Sequence, residues 1–186
     1  CRFGMGPQLL SLSGALHEDR TWEGRAEATS LDVTILGDFL TGPMYPRGQL
    51  TATVSVGGSP AAPTMDAEWY LRDLIYDRFE LSLFEGSATY ADGMLTLPQW
   101  DLESFGNHMT VAGSAPLEVG VEDGALRVAR PDLPMSLTLK TEEFDISFAS
   151  LLFPSVSEAS GKALIDLTIN GTSLHPNLVG RVQMPD

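Results

Sequence analysis

The sequence has few residues that could support covalent or redox chemistry. Cys1 is the only cysteine among 186 residues, so an internal disulfide and any site built on a Cys-x-x-Cys pair are excluded. Because Cys1 is also the first residue, a lipid-modified N-terminus after signal cleavage is an alternative interpretation. Arg2 would be an unusual successor for such a site.

Basic residues are also scarce. Eleven lysines and arginines stand against twenty-five acidic residues, giving a formal net charge of -14. A field of this sign repels nucleic acid and anionic membrane surfaces, so we predict no nucleic-acid partner. No apolar run approaches the roughly 18 residues of a membrane-spanning helix. Any anchor or export signal is expected to lie outside these residues.

The familiar catalytic and metal-binding patterns are missing from the sequence. His17, His108 and His175 are far apart, and none belongs to a pattern that binds zinc. The acidic pairs, such as Glu142-Glu143, lack the spacing of a calcium loop. No GxSxG elbow, P-loop or GxGxxG fingerprint occurs. We therefore predict a protein that is not an enzyme and that has no metal or cofactor.

Alternation of apolar and polar residues runs through most of the chain and predicts half-buried β-strands. Glycine-containing pairs such as Asp92-Gly93 separate the runs, which favours an antiparallel meander. A shorter pattern, apolar-x-apolar-x-Gly, predicts strand ends at Gly14, Gly58, Gly113 and Gly171. The candidate residues for an apolar surface are Leu50, Ala52, Val54, Val56, Leu81, Leu83, Leu95, Leu97, Met109, Val111, Leu137, Leu139, Ala163, Ile165, Leu167 and Ile169.

Two segments depart from this alternation. Residues 32–40 and 145–153 each carry dense apolar residues at mixed spacing after an aspartate that could cap a helix. Each segment is either a short helix lying across a sheet edge or a further buried strand. One or two short helices are therefore part of the expected fold.

An internal repeat relates the same two regions. Residue 31 aligns with residue 144 without a gap as far as residues 71 and 184, and the alternation stays in phase. The identical positions are mostly residues that shape the backbone. They are Asp32/Asp145, Gly48/Gly161, Gly58/Gly171 and Pro63/Pro176. We predict the end of one unit at 1–30, a full β unit at 31–143 and the truncated start of another at 144–186.

The stretch Gly161–Met184, GKALIDLTINGTSLHPNLVGRVQM, resembles the repeated motif of the TamB-like branch of the AsmA-like superfamily. A glycine opens an alternating strand, and a Gly-Thr turn, a proline and a second strand follow. Gly48–Leu71 is a weaker copy. The resemblance implies a curled β-taco sheet with an apolar groove, in a bridge-like lipid-transfer protein that is anchored at the inner membrane and crosses the periplasm. It also implies phospholipid acyl chains as cargo and an outer-membrane β-barrel assembly protein as a partner.

Two functions remain open on the sequence alone. If the apolar residues line a curled open sheet, they would contact phospholipid acyl chains. If two sheets close on each other, the same residues would form a dry core. The protein would then be a non-catalytic β-sandwich for interaction or carbohydrate binding, with Trp22, Trp69 and Trp100 as candidate sugar platforms.

Overall fold

The structure is a computed structural model that describes residues 2–5, 8–35, 46–76, 79–122, 125–129, 131–145 and 161–184. It is 82% strand, and its described residues include no helix of seven or more residues. The predicted all-β class is therefore confirmed. The strands are β1 (Arg2–Met5), β2 (Gln8–Leu16), β3 (Trp22–Asp32), β4 (Arg47–Ser59), β5 (Ala62–Tyr76), β6 (Phe79–Ala91), β7 (Met94–Ser104), β8 (Asn107–Pro116), β9 (Glu118–Glu122), β10 (Ala125–Ala129), β11 (Pro134–Asp145), β12 (Lys162–Thr172) and β13 (Pro176–Gln183).

Eleven of these strands form one antiparallel sheet. Its order follows the chain from β1 to β8 and continues with β11, β12 and β13. The remaining two strands, β9 and β10, form a separate hairpin between β8 and β11. The sheet is not closed, so β1 and β13 are its two edges. This order agrees with the predicted meander.

Some of the glycines lie in turns as the sequence predicts, and others lie within strands. Asp92–Gly93 and Phe105–Gly106 have positive φ at both residues, which is the type I′ geometry of tight hairpins. Gly14 and Gly113, in contrast, lie inside β2 and β8, so the expected strand ends there are wrong. Gly113 allows close strand approach, because an added Cβ would lie 2.1 Å from the Ser136 carbonyl oxygen.

The glycines Gly58 and Gly171 also precede the turns that they were expected to form. Each lies one residue before the end of its strand, and the chain reverses only after Ser59 and Thr172. Their φ angles are 94° and 96°, so the two positions share one backbone conformation. An added Cβ would approach the carbonyl oxygen of Ala62 or His175 to 2.2 Å or 2.5 Å. Glycine is needed at both places for the same reason.

Two groups of three strands pair in the same register when their numbers are shifted by 113. Leu31 pairs with Leu50 between β3 and β4, and Phe144 pairs with Ala163 between β11 and β12. A bulge precedes each pair in β3 and in β11. The registers of β4 with β5 and of β12 with β13 also coincide at this shift. The division into units at 1–30, 31–143 and 144–186 stays a prediction.

The two segments predicted as helix or strand are described only at their start. In the first, β3 ends at Asp32 and a single 3-10 turn follows at residues 33–35. The Asp32 carboxylate accepts a bond from the Thr34 amide at 2.9 Å and another from the Thr34 hydroxyl. These bonds hold the pKa of Asp32 below its usual range. Residues 36–40 and 146–153 lie outside the described residues.

Candidate functional site

One face of the large sheet is apolar from β2 to β13. Residues directly opposite each other on paired strands project to the same side of a sheet, so the register assigns every position to a face. Val54 pairs with Ala26 on β3 and with Ala67 on β5. Leu167 pairs with Leu139 on β11. We call this side the apolar face, and its ladders consist almost wholly of aliphatic, aromatic and glycine residues.

The two strongest runs of the sequence lie together on this face. The pairing of neighbouring strands connects the apolar face continuously from β4 through β8 to β11 and β12. The apolar positions of both runs therefore share one surface, as the conserved phase of alternation predicts. The candidate residues on the apolar face by register are Leu50, Ala52, Val54, Val56, Leu95, Leu97, Met109, Val111, Leu137, Leu139, Ala163, Ile165, Leu167 and Ile169.

Leu81 and Leu83, the two candidate residues of β6, differ in burial and in their partners, although both pair with β5 in one register. Leu83 pairs with Arg72 and Glu103, on the polar side of the sheet. Leu81 is 6% exposed and pairs with Leu74. The neighbouring Asp73 has a φ of 52°, a left-handed conformation that interrupts the alternation of β5 at this place.

Three aromatic rings form a cluster on the apolar face that the sequence alone did not predict. Trp69, Phe84 and Trp100 have ring centroids 5.2 to 5.5 Å apart, with interplanar angles of 58° to 77°. Gly86 lies between the two tryptophans in the ladder, because it pairs with both. An added Cβ at Gly86 would lie 2.6 Å from the Trp100 ring and 2.9 Å from the Gln99 carbonyl oxygen. Glycine at this position makes room for the edge-to-face contacts.

The two indole N–H groups of this cluster have different surroundings. Trp100 Nε1 donates to the Ser87 carbonyl oxygen at 2.9 Å, whereas the buried Trp69 Nε1 has no hydrogen-bond partner. We expect Trp100→Phe to lower the free energy of unfolding by about 1 kcal/mol more than Trp69→Phe, since only the first change removes a hydrogen bond. Urea denaturation of the two variants measures this difference. Equal losses, or a larger loss for Trp69→Phe, would contradict it.

The opposite side of the sheet is polar and rich in carboxylates. Glu27 pairs with Thr53, Thr53 pairs with Glu68, and Glu85 pairs with Asp101. Most of the charged groups on this side are exposed, as in the Arg25–Glu27 ion pair. At the β11–β12 end, the exposed Lys162 holds the pKa of Glu143 below its usual range. From β2 to β13, the sheet therefore separates a mainly polar side, rich in carboxylates, from the apolar face.

No second layer of described strands packs on the apolar face. Within the described ranges, each strand of the large sheet makes its substantial contacts only with hydrogen-bonded neighbours. Val54 of β4 and Leu167 of β12 are half-buried, whereas Leu12 of β2 and Leu178 of the edge strand β13 are exposed. Burial is deepest at the end of the sheet where β12 begins, and Ala163 there is 1% exposed. An open sheet with one apolar face agrees with the predicted architecture.

Besides the unpaired indole N–H of Trp69, few polar groups lie on the described part of the apolar face, and Thr141 and Asn107 among them form hydrogen bonds. Thr141 is 3% exposed, and its hydroxyl accepts a bond from the Ile165 amide at 3.2 Å. At the same end, Asn107 donates to the Ser104 carbonyl oxygen at 3.2 Å. These hydrogen bonds lower the free-energy cost of placing two polar side chains among apolar neighbours.

The described part of the chain has no group of three or more histidine, cysteine or acidic side chains that could hold a metal ion. It also contains no helix with the length and apolar character needed to cross a membrane. The apolar face itself offers nonpolar contact over several successive strands. Comparison with protein-family models, with curated proteins and with solved structures finds no match for this chain.

Proposed function

We propose that the chain is a non-catalytic segment of a bridge-like lipid-transfer protein, whose apolar face holds the acyl chains of phospholipids. The observation that supports this function best is the continuity of the apolar face across successive strands of an open sheet. A dry core would need a second layer over these residues, and the strands that the structure describes do not supply one. Acyl chains supply an equivalent nonpolar cover, and they can move along the surface because no specific bond holds them.

The size of the apolar surface matters because hydrocarbon is costly to expose to water. Moving a phospholipid with about thirty chain methylenes through water costs about 25 kcal/mol of free energy, at about 0.8 kcal/mol for each methylene. An open apolar face would remove most of this penalty while the headgroup stays in water. Such transport needs no reactive side chain, so the predicted lack of catalytic groups is consistent with it.

The cellular setting of this proposal comes from the TamB-like resemblance of Gly161–Met184 and Gly48–Leu71. A parent protein of that kind would be anchored at the inner membrane, would span the periplasm and would support outer-membrane biogenesis. Its partner would be an outer-membrane β-barrel assembly protein, bound through another part of the chain. The charge of -14 favours a location away from anionic headgroups, with lipid held by its chains.

The arrangement of the tryptophans does not favour the carbohydrate-binding alternative. A sugar platform uses aromatic rings that lie exposed and coplanar. Trp69 and Trp100 are instead half-buried and meet at an interplanar angle of 77°. We therefore retain acyl chains as the proposed ligand of this face.

Native mass spectrometry of the purified protein tests the proposal. We expect mass additions that correspond to phospholipids, which should return when the delipidated protein is incubated with phosphatidylethanolamine and phosphatidylglycerol vesicles. Delipidated protein incubated without vesicles is the control. Protein that stays folded, carries no lipid and takes none from the vesicles would contradict the proposed function.

A further inference from the structure

The segments that lead into and out of the β9–β10 hairpin are hydrogen-bonded to the large sheet at or near its turns. On one side, the Tyr90 hydroxyl donates to the Leu117 carbonyl oxygen at 3.0 Å, and the Leu117 amide donates to the Gly93 carbonyl oxygen at 2.9 Å. On the other side, the Ser173 hydroxyl donates to the Pro131 carbonyl oxygen at 3.0 Å. These bonds connect the hairpin to the β6–β7 and β12–β13 turns.

A cavity of about 670 Å³ lies between this hairpin and the sheet. Pro63 and Tyr90 contribute to it from the sheet, and Val119 and Ala129 contribute from the hairpin. Among the described strands, β9 and β10 make substantial contacts only with each other, so the hairpin does not pack down on the sheet and the space stays open. Sites for small molecules typically measure about 300 to 1,000 Å³ and are mostly apolar, so this cavity has the size of a binding site.

The cavity is continuous with the apolar face. Pro63 pairs with Gly58, and Tyr90 pairs with Met65 and Leu95, in the ladders that form that face. Tyr90 is only 6% exposed, although no described strand packs face to face on the sheet, because the hairpin root at Leu117 lies against it. An extended apolar ligand lying on the face could therefore reach the cavity along Pro63 and Tyr90.

We propose that this cavity is a binding site for a single hydrocarbon chain of a lipid with a neutral or zwitterionic headgroup. This site depends on the proposed function of the apolar face, and it adds a specific binding site at the hairpin end of that face. Apolar side chains such as Pro63, Val119 and Leu133 would cover the chain. The exposed carboxylates of Asp92 and Glu118 also border the cavity, and they disfavour an anionic headgroup there.

Photolabelling of the purified full chain tests this site. The probe is a monoacylglycerol with a diazirine near the methyl end of its chain, and labelled peptides are mapped by mass spectrometry. We expect label in the peptides that contain residues 60–63 and 117–119. Ala129→Trp fills the cavity and should weaken labelling there at least about tenfold, as expected when about two methylenes lose their burial. Ala112→Trp is the matched control, because Ala112 is half-buried on the polar side and outside the cavity.

Circular dichroism confirms that the variants are folded, and Val119→Trp replaces Ala129→Trp if the latter is not. Label only along the central apolar face would overturn the cavity site and leave the proposed function standing. Equal labelling of the cavity peptides in Ala129→Trp and Ala112→Trp would also overturn the site. No label anywhere on a folded protein would count against both the site and the proposed function.

Discussion

Leu167→Asp in the intact protein is expected to abolish lipid transfer while the segment remains folded. Leu167 lies on the apolar face between Leu139 and Gly180, so its replacement puts a charge into the path of the acyl chains. In a closed core, such a charge would cost more than about 4 kcal/mol of stability. On an open face the carboxylate can reach water, and we expect a loss of only about 1 to 3 kcal/mol. Val54→Asp should behave in the same way.

The measurement pairs thermal or urea unfolding of the variant with a lipid-transfer assay of the intact protein. Thr168→Asp is the matched control, since Thr168 is the next residue of β12 and projects to the polar side, where it pairs with Thr138 and Val179. It should retain both stability and transfer. If Leu167→Asp unfolds the segment and wild-type protein binds no lipid, the apolar face is a covered core. The proposed lipid transfer along this face is then wrong.

Gly113→Ala is expected to cause the largest loss of stability among single conservative changes in the sheet. Gly113 lies between Leu97 of β7 and Leu137 of β11, at the junction where the sheet continues past the hairpin. Its φ is 140°, and an added Cβ would lie 2.1 Å from the Ser136 carbonyl oxygen and 2.8 Å from the Leu137 Cα. Both neighbours are backbone and cannot move aside alone. We expect a loss of about 3 kcal/mol or more from strain and overpacking together.

Gly106→Ala separates the steric effect from the effect of a positive φ. Gly106 has a φ of 75° in the β7–β8 turn, and an added Cβ there would meet nothing within 4 Å. This variant should lose only about 1 to 2 kcal/mol, the cost of a left-handed alanine. Urea denaturation of both variants gives the comparison. A Gly113→Ala protein as stable as Gly106→Ala would mean that β8 and β11 are not as close as their pairing requires.

The apolar face was predictable because it depends only on period-2 alternation and on short connections between consecutive strands. Val54 and Leu167 lie far apart in sequence, yet paired residues on neighbouring strands project to the same face of the sheet. The alternation of apolar and polar residues in each run therefore predicts which of its residues lie on the apolar face. The identical registers at a shift of 113 follow from the same rule. Gly58 and Gly171 keep their shared conformation because a close carbonyl oxygen excludes a side chain at both positions.

The features that could not be predicted arise where a bulge changes the phase. Leu97 and Trp100 lie on one face although their separation is odd, because the strand bulges between them. Pro98, at that place, is a signal that could have indicated the interruption. Leu83 lies on the polar side because it precedes Phe84, which pairs with Leu71 on the apolar face, and neighbouring residues of a strand project to opposite faces. The cavity under the hairpin depends on contacts between segments far apart in sequence, such as Tyr90 of β6 with Leu117, which no local pattern encodes.

Site-specific photocrosslinking in the intact protein shows whether the apolar face holds acyl chains. A photoreactive amino acid is placed in turn at Val54, Val111, Leu167 and Thr168, and crosslinked phospholipid is identified after illumination. We expect lipid adducts at the first three positions, which lie on the apolar face, and none at Thr168. Lipid adducts at all four positions alike, or at none of them in a folded protein, would contradict it.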